Sequence, residues 1–227
     1  MAYQLSAGGD AATAFTLTQR VLHIETETFG PDQPNTLANQ SNLANALWSL
    51  GRYDEAVDLH RRNLEVNLRV LGPGHSDTLD SQNNLANTLV ALGRLGEAVD
   101  LHRRTLEVRL RVFGPGHPKT LGSQNNLANI LAGLGRYGEA VGLHRRTLEL
   151  YLRVLGPGHP DTLRSQNNLA DALAGLGRLG EAVDLHRRTL EVCLQVLGPD
   201  HPETRRTQAK LLAVRRRSRW RRNKPRR

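Results

Sequence analysis

The sequence predicts an all-α fold, a solenoid built from antiparallel helix pairs. Three observations carry that expectation. Thr36, Thr78, Thr120, Thr162 and Thr204 stand 42 residues apart, as do Gly51, Gly93, Gly135 and Gly177, and residues 78–119 match 120–161 at 32 of 42 positions without a gap. A fixed period of this size is the mark of a stacked repeat array, in which each unit contacts its neighbours. Within each period Leu, Val and Ala recur at helical spacing, and aromatic residues make up only 4% of the chain, which suits helix-on-helix packing. Glycine and proline gather at two joints per period, where they stop helices.

The elements follow in order. Ala14, Leu22 and Gly30 align with Ala56, Leu64 and Gly72, so residues 10–29 form a lone second helix inside a half-repeat at 1–34. Four full repeats occupy 35–76, 77–118, 119–160 and 161–202, with helix pairs near 35–72, 77–114, 119–156 and 161–198. In the second repeat, Asp77 and Thr78 are expected to cap the first helix, which buries Leu85, Ala86, Leu89 and Leu92. Gly93 and Arg94 make a tight turn. A second helix, Leu95 to Phe113, carries Ala98, Val99, His102, Leu106, Leu110 and Phe113 on one face and Leu101, Val108 and Val112 on another. "FGPGHP" ends it. Residues 203–215 keep Thr204, Gln208 and Leu211 in register and are expected to cap the array, leaving 216–227 as a basic, disordered tail.

The stretch "NNLANTLVALGRLGEAVDLHRRTLEV" resembles the tetratricopeptide repeat, with Ala86, Gly93, Leu95 and Ala98 at the pattern's small, turn, bulky and small positions. The 42-residue period, "NNLA" and the joint "LGPGHPDT" are similar to the kinesin-light-chain type of that repeat. The resemblance implies a right-handed superhelix whose first helices line a concave surface, and a non-catalytic scaffold that takes a protein or peptide ligand there. In bacterial proteins of this type an upstream nucleotide-binding or signalling domain is common, and the half-repeat at the start is expected to mark a fragment of such a protein.

Counting back from the turn glycine at 100° per residue, the face opposite the apolar stripe carries the positions 13, 9, 6 and 2 before it. The middle two are Asn42/Asn45, Asn84/Asn87, Asn126/Asn129 and Asn168/Asp171, a ladder of carboxamides. An amide both donates and accepts, so it can pair with the N–H and the C=O of an extended peptide. Asp80, Arg164 and Asp171 are expected to bias the choice of ligand. The small residues Ser49, Ala91, Gly133 and Gly175 are expected to leave room for it. The resemblance singles out Asn42, Asn84, Asn126 and Asn168 as clamp residues. Asn83, Asn125 and Asn167 point to a flank and read as repeat-to-repeat hydrogen bonds.

Other motifs carry no chemistry. His60, His102, His144 and His186 recur in the second helix, and His75, His117, His159 and His201 in the joint, without a ligand partner at a metal-binding spacing; the helix set reads as packing. "LGPGHP" lacks the Gly-Lys-Ser/Thr ending of a phosphate loop. "HRRTLE" reads as an ion-paired face, and Cys193, where other repeats carry Asn67, Arg109 and Tyr151, as half-exposed. No metal, no cofactor and no enzyme is predicted.

The net charge of +9 belongs to one end: residues 205–227 hold twelve Arg or Lys and no acid, leaving 19 basic against 22 acidic residues elsewhere. Arg215, Arg216, Arg217, Arg219, Trp220, Arg221 and Arg222 form the alternative site, an anion-binding tail for nucleic acid or an anionic surface. Self-association through the uncapped first helix is a third reading. No apolar run reaches the length of a membrane span, and a single cysteine suits a cytoplasmic setting.

Overall fold

The computed structural model describes the backbone of residues 11–222; residues 1–10 and 223–227, the start of the half-repeat and the end of the basic tail, lie outside the described residues. Among the described residues there are ten helices and no strand. They are α1 (Ala11–Phe29), α2 (Pro34–Ser49), α3 (Tyr53–Val70), α4 (Ser76–Ala91), α5 (Leu95–Phe113), α6 (Pro118–Gly133), α7 (Tyr137–Leu155), α8 (Pro160–Gly175), α9 (Leu179–Val196) and α10 (Pro202–Arg222). The chain divides into two compact units, Met1–Val112 and Phe113–Arg227. In the first, α1 packs on α2, α2 on α3 and α3 on α4. Hydrogen bonds from Thr105 to the Gln82 carboxamide and from Arg109 to the Leu79 carbonyl join α5 to α4. In the second unit each helix from α6 to α10 packs on the next, and α6 also touches α8.

The turn inside each pair is a Schellman motif. At Gly93 (φ 80°) the glycine N–H donates to the Val90 carbonyl at 3.0 Å and the Arg94 N–H to Leu89 at 2.8 Å. The left-handed conformation penalises a side chain, so glycine is required there. The same bonds recur around Gly51, Gly135 and Gly177. The arginine after each glycine pairs through two nitrogens with a glutamate three residues on, Arg94 with Glu97 at 2.5 and 2.7 Å. Arg52–Glu55, Arg136–Glu139 and Arg178–Glu181 repeat the arrangement. These pairs are exposed and orient the turn more than they stabilise it.

The joint between pairs differs from the expectation. The cap of α4 is His75, not Asp77 or Thr78: its Nδ1 accepts from the Asp77 N–H at 3.2 Å. His117, His159 and His201 accept from Lys119, Asp161 and Glu203 in the same way. An imidazole nitrogen reaches the second N–H of the helix as a Ser or Asp oxygen would, satisfying an orphan donor. At the head of α2, where Gln33 takes this place, no side chain caps. The periodic threonine has another task. Thr36 donates to the Gly30 carbonyl at 2.9 Å and Thr78 to the Asn67 carbonyl at 3.2 Å, tying α2 and α4 to the end of the second helix before each, whereas the equivalent Thr162 hydroxyl finds no partner.

The core holds two alanines per repeat with no exposed surface (Ala44/Ala56, Ala86/Ala98, Ala128/Ala140, Ala170/Ala182), beside the fully buried Leu79, Leu121 and Leu163. Each such leucine contributes roughly 1.5–3 kcal/mol. The second helix is less covered at its far end than its two apolar stripes predict. Ala98, Val99, His102 and Leu106 are buried, but Leu110 is 39% and Val112 50% exposed. Val112 nonetheless reaches the joint, 3.7 Å from where a Cβ on Gly74 would stand, and Val196 lies 3.2 Å from that point on Gly158. The second glycine of "GPGH" thus seats a valine of the following second helix. The last helix corrects the expected boundary of the tail. It continues past 215 to Arg222, because Leu211 and Val214 keep it anchored and no Gly or Pro occurs before Pro225.

The sequence reading leaves space for a ligand at Gly175, but that space is filled from within. A Cβ there would run into the Tyr137 ring, whereas one on Gly133 meets nothing within 4 Å. The two positions are equivalent in sequence, so they predict opposite signs. Gly175→Ala should destabilise by about 1–3 kcal/mol through overpacking, while Gly133→Ala should be neutral or stabilise by up to about 1 kcal/mol through helix propensity. Urea unfolding of the two variants measures both; the same sign in both would count against the Tyr137 contact.

Candidate functional site

The repeated "SQNN" resolves into separate tasks. Ser81 accepts from Asn67 of the preceding second helix at 2.8 Å. Gln82 and Gln124 accept from Thr105 and Thr147 of their own second helices at 2.9 and 3.0 Å. Of the first asparagines, Asn167 is 1% exposed and donates to Glu203 and Thr207 of α10 at 2.8 and 2.7 Å. Asn125 is buried too and accepts from Asn168 of the next first helix at 3.5 Å. These bonds run from repeat to repeat. In the third and fourth repeats the second asparagine is the more accessible one, Asn126 and Asn168 being half-buried; Asn83 and Asn84 are both half-buried, and Asn42 is exposed.

In the first unit the structure brings several of the expected ligand residues to one cleft. A cavity of about 450 Å³ lies among α2, α3 and α4, lined by Ala38, Ser41, Asp80, Ser81 and Asn84, with Asn63 and Asn67 at its floor. The floor is a hydrogen-bonded chain. Asn63 donates to Ser41 and to the Leu37 carbonyl, both at 2.7 Å, and Asn67 donates to Asn63 at 3.1 Å and to Ser81 at 2.8 Å. Asn45 and Asn87 are exposed and line no part of this cavity. Asn42 donates to Asn39 one turn back at 3.2 Å. Asp80 is held: Arg109, only 5% exposed at its side chain, reaches its carboxylate at 2.7 Å.

In the second unit Asn129 is exposed and Asn126 and Asn168 are half-buried on α6 and α8. Arg164 is spent on Asp161 of its own helix. Asp171, which replaces the asparagine of earlier repeats, bonds Lys210 at 2.6 Å and stands 3.3 Å from His186 Nε2. Lys210 occupies the clamp position next after Asn168 in the 42-residue register. Burial opposes the charge on Asp171, but the bonds from His186 and Lys210 outweigh it and hold the carboxyl below the usual range. The three residues expected to read a partner are therefore each paired inside the chain. A second cavity, about 430 Å³, lies against α7, α8 and α9 and is floored by Leu148, Leu152, Leu169, Leu173 and Leu185.

One position departs from the sequence expectation. Cys193 is fully buried, and its counterparts Asn67, Arg109 and Tyr151 are each 4% exposed, so a site that differs in all four repeats lies inside. Burial raises the Cys193 thiol pKa and pushes the Tyr151 hydroxyl to about 12. Polar residues in a register otherwise apolar read as surface. Asn67 and Arg109 instead meet a polar group of a neighbouring helix, Ser81 and Asp80. The second-helix histidines are also inside, 0–1% exposed. His102 and His144 find no partner for either ring nitrogen, nor does His60 for Nδ1. Both ring nitrogens of His186 face acceptor oxygens, those of Asn167 at 3.0 Å and Asp171. No group of three or more metal-ligating side chains occurs among the described residues.

At the other expected site, Arg215, Arg216, Arg217 and Arg219 are exposed on α10, as is Trp220; the side chains of Arg221 and Arg222 lie outside the described residues. No helix among the described residues is long and apolar enough to cross a membrane.

Within each unit, consecutively packed helices, Schellman turns and polar joints between repeats define an all-α helical-repeat solenoid. The tetratricopeptide repeat family pattern matches residues 1–66, 38–111, 77–151, 119–193 and 167–221. The chain belongs to the tetratricopeptide repeat family, with repeats of the kinesin-light-chain-like type. Among solved structures, a variant form of a Podosopora anserina protein, assigned as a kinesin light chain with nearly identical TPR-like repeats, is 29% identical. It superposes with a TM-score of 0.76 over 86% of this chain and 92% of its own. BtubC (BKLC) from P. vanneervenii is 21% identical, with a TM-score of 0.77 over 91% and 84%. A thermophilic TPR protein of Thermus thermophilus is also 21% identical, with a TM-score of 0.63 over 93% and 95%. No curated protein matches the chain significantly. Tetratricopeptide repeats generally mediate protein–protein interaction, and proteins made of them are typically non-catalytic.

The buried histidines predict a pH dependence. Burial lowers His60, His102 and His144 from 6.5 to about 4, with Arg109 adding to the effect at His102. The folded state binds the proton less well than the unfolded one, so their contribution is intact above pH 6.5 and is lost as pH falls toward 4. Each is worth about 3 kcal/mol across that window. Thermal unfolding should show Tm dropping steeply between pH 6.5 and 4, and replacing all three by Leu should flatten the drop. An equal slope in the variant would mean that carboxylates dominate.

Proposed function

We propose that this protein is a non-catalytic interaction scaffold that holds an extended segment of a partner protein along the first-helix faces of its repeats. The observation that carries the reading is the cleft of the first unit, where Asn84 projects beside Ala38, Asp80 and the Ser41–Asn63–Asn67–Ser81 chain. The Asn63 and Asn67 amides are spent within the floor, which fixes the shape of the cleft. Asn84, half-buried at its wall, offers a donor and an acceptor beside the floor's polar row. A peptide backbone presents that same pair at every residue, so the grip tolerates sequence. Asn42, Asn45 and Asn87 extend the carboxamide row in this unit, and Asn126, Asn129 and Asn168 form its counterpart in the second.

Ligand choice is then set less by free charges than by charges already paired. Asp80 with Arg109, and Asp171 with Lys210, present compact ion pairs that a ligand can join but does not easily displace. Arg164 is exposed and can exchange Asp161 for a ligand acid at small cost. The alternating amides favour a ligand with a regular, unpaired backbone over a folded surface.

A library of random peptides displayed on phage, selected on the intact chain, tests this. Peptides that bind wild type should lose at least about fivefold in affinity to Asn42→Ala/Asn84→Ala, since two charge-neutral hydrogen bonds are worth roughly 1–3 kcal/mol together. Their affinity should change little between low and moderate salt. Selected peptides that bind the variant equally well would place recognition elsewhere on the repeats.

A further inference from the structure

The basic end of the chain is absorbed by none of this. Through Thr204, Thr207, Leu211 and Val214, all buried, α10 packs on α9, and Lys210 and Thr207 add polar ties to α8. After Val214 the burial stops while the helix does not. Arg215, Arg216, Arg217, Arg219 and Trp220 are exposed and Ser218 is half-buried, and the helical backbone runs on through Arg221 and Arg222. The array therefore extends a two-turn helical spur whose base is fixed by its own core.

The placement of charge on this spur is specific. Residues 215–222 include six arginines, and eight residues of helix rise about 12 Å. At 100° per residue Arg215, Arg216, Arg217 and Arg219 spread over about 200° of the helix, and the two widest gaps between them hold Trp220 and Ser218. There is no apolar face, so the spur lacks what a helix needs to lie in a bilayer interface. Charge over more than half of the circumference instead suits a channel whose walls are negative on both flanks. The major groove of B-form DNA is such a channel: about 12 Å wide, it admits a helix, and duplex DNA carries one phosphate charge per roughly 1.7 Å of axis, about seven over the spur's length. Six cations against seven anions is a close match. The A-form groove of duplex RNA is too narrow to take a helix.

We propose that residues 215–222 form a DNA-binding spur that enters the major groove of B-form duplex DNA and grips its phosphates without reading sequence. Like charges lie three and four residues apart along the spur (Arg215 and Arg219, Arg216 and Arg219), an arrangement that weakens an isolated helix. Phosphates relieve that repulsion, so the spur's helix is stabilised by the ligand it binds. The spur shares no residue with the carboxamide row.

The test is fluorescence anisotropy of a labelled DNA duplex of two helical turns, titrated with the full chain at several salt concentrations. Wild type should bind at about 100 mM salt with a slope of log K against log salt near −5 or steeper, six neutralised phosphates giving roughly −0.9 each. The variant Arg215→Gln/Arg216→Gln/Arg217→Gln/Arg219→Gln should lose about three to four units of that slope, whereas the matching Lys variant should keep it. Asn42→Ala/Asn84→Ala should bind DNA as wild type does. The spur is overturned if wild type fails to bind at that salt or if the Gln variant keeps the slope. It is equally overturned if duplex RNA, or vesicles of phosphatidylserine and phosphatidylcholine, are bound as tightly as DNA.

Discussion

The left-handed glycine that closes each pair sets the frame for everything else. Because Gly51, Gly93, Gly135 and Gly177 take φ of 75–88°, the chain reverses within two residues, and the next helix starts at a fixed angle and a fixed residue. From that origin, counting backward places the buried alanine and leucines on one face of the first helix and the carboxamides on the other. Counting forward places Ala56, Ala98, Ala140 and Ala182 where nothing larger fits. A residue inserted in the first helix between the asparagines and this turn would rotate them by about 100° relative to it and carry them off the face they share. The polar joints at Ser81, Gln82 and Asn167 meet their partners only because this register is held.

Much of the fold is legible in the sequence because it is periodic and local. Helix existence, the turn glycines, the alanines of the core and the flank role of Asn167 all follow from spacing alone. What spacing does not reveal is chemistry that depends on a second segment arriving. A histidine as helix cap cannot be distinguished from a joint histidine until its Nδ1 meets the Asp77 N–H. Gly175 looks as empty as Gly133 until Tyr137 lies across it. Variation among Asn67, Arg109, Tyr151 and Cys193 reads as tolerance at a surface, although each is buried. A signal is available: in repeats this similar, a position that changes chemistry while its neighbours do not is one whose partners change as well.

The candidate site shows the same division. The asparagine pair splits into a joint residue and an accessible residue on helical geometry alone. The charged positions could not be judged that way, because Asp80 and Asp171 are paired with residues 29 and 39 positions further on. Their pairing changes the kind of recognition open to the protein, from attraction of a free charge to accommodation beside a closed pair.

The buried variable position has a consequence for assembly. Repeats that match at 32 of 42 positions can mispair by one period while the chain is folding, since every apolar contact would be nearly as good in the wrong place. Arg109 meets an acid on Asp80 of its own repeat, where the other repeats carry Ala38, Gly122 and Arg164. Asn67 has its hydroxyl on Ser81, and Cys193 lies 4.0 Å from the Thr207 hydroxyl. A slipped pairing would strand a guanidinium inside a core, which costs several kcal/mol. The second repeat thus carries a key cut for its own first helix, and an exchange of near-identical helices is penalised from within.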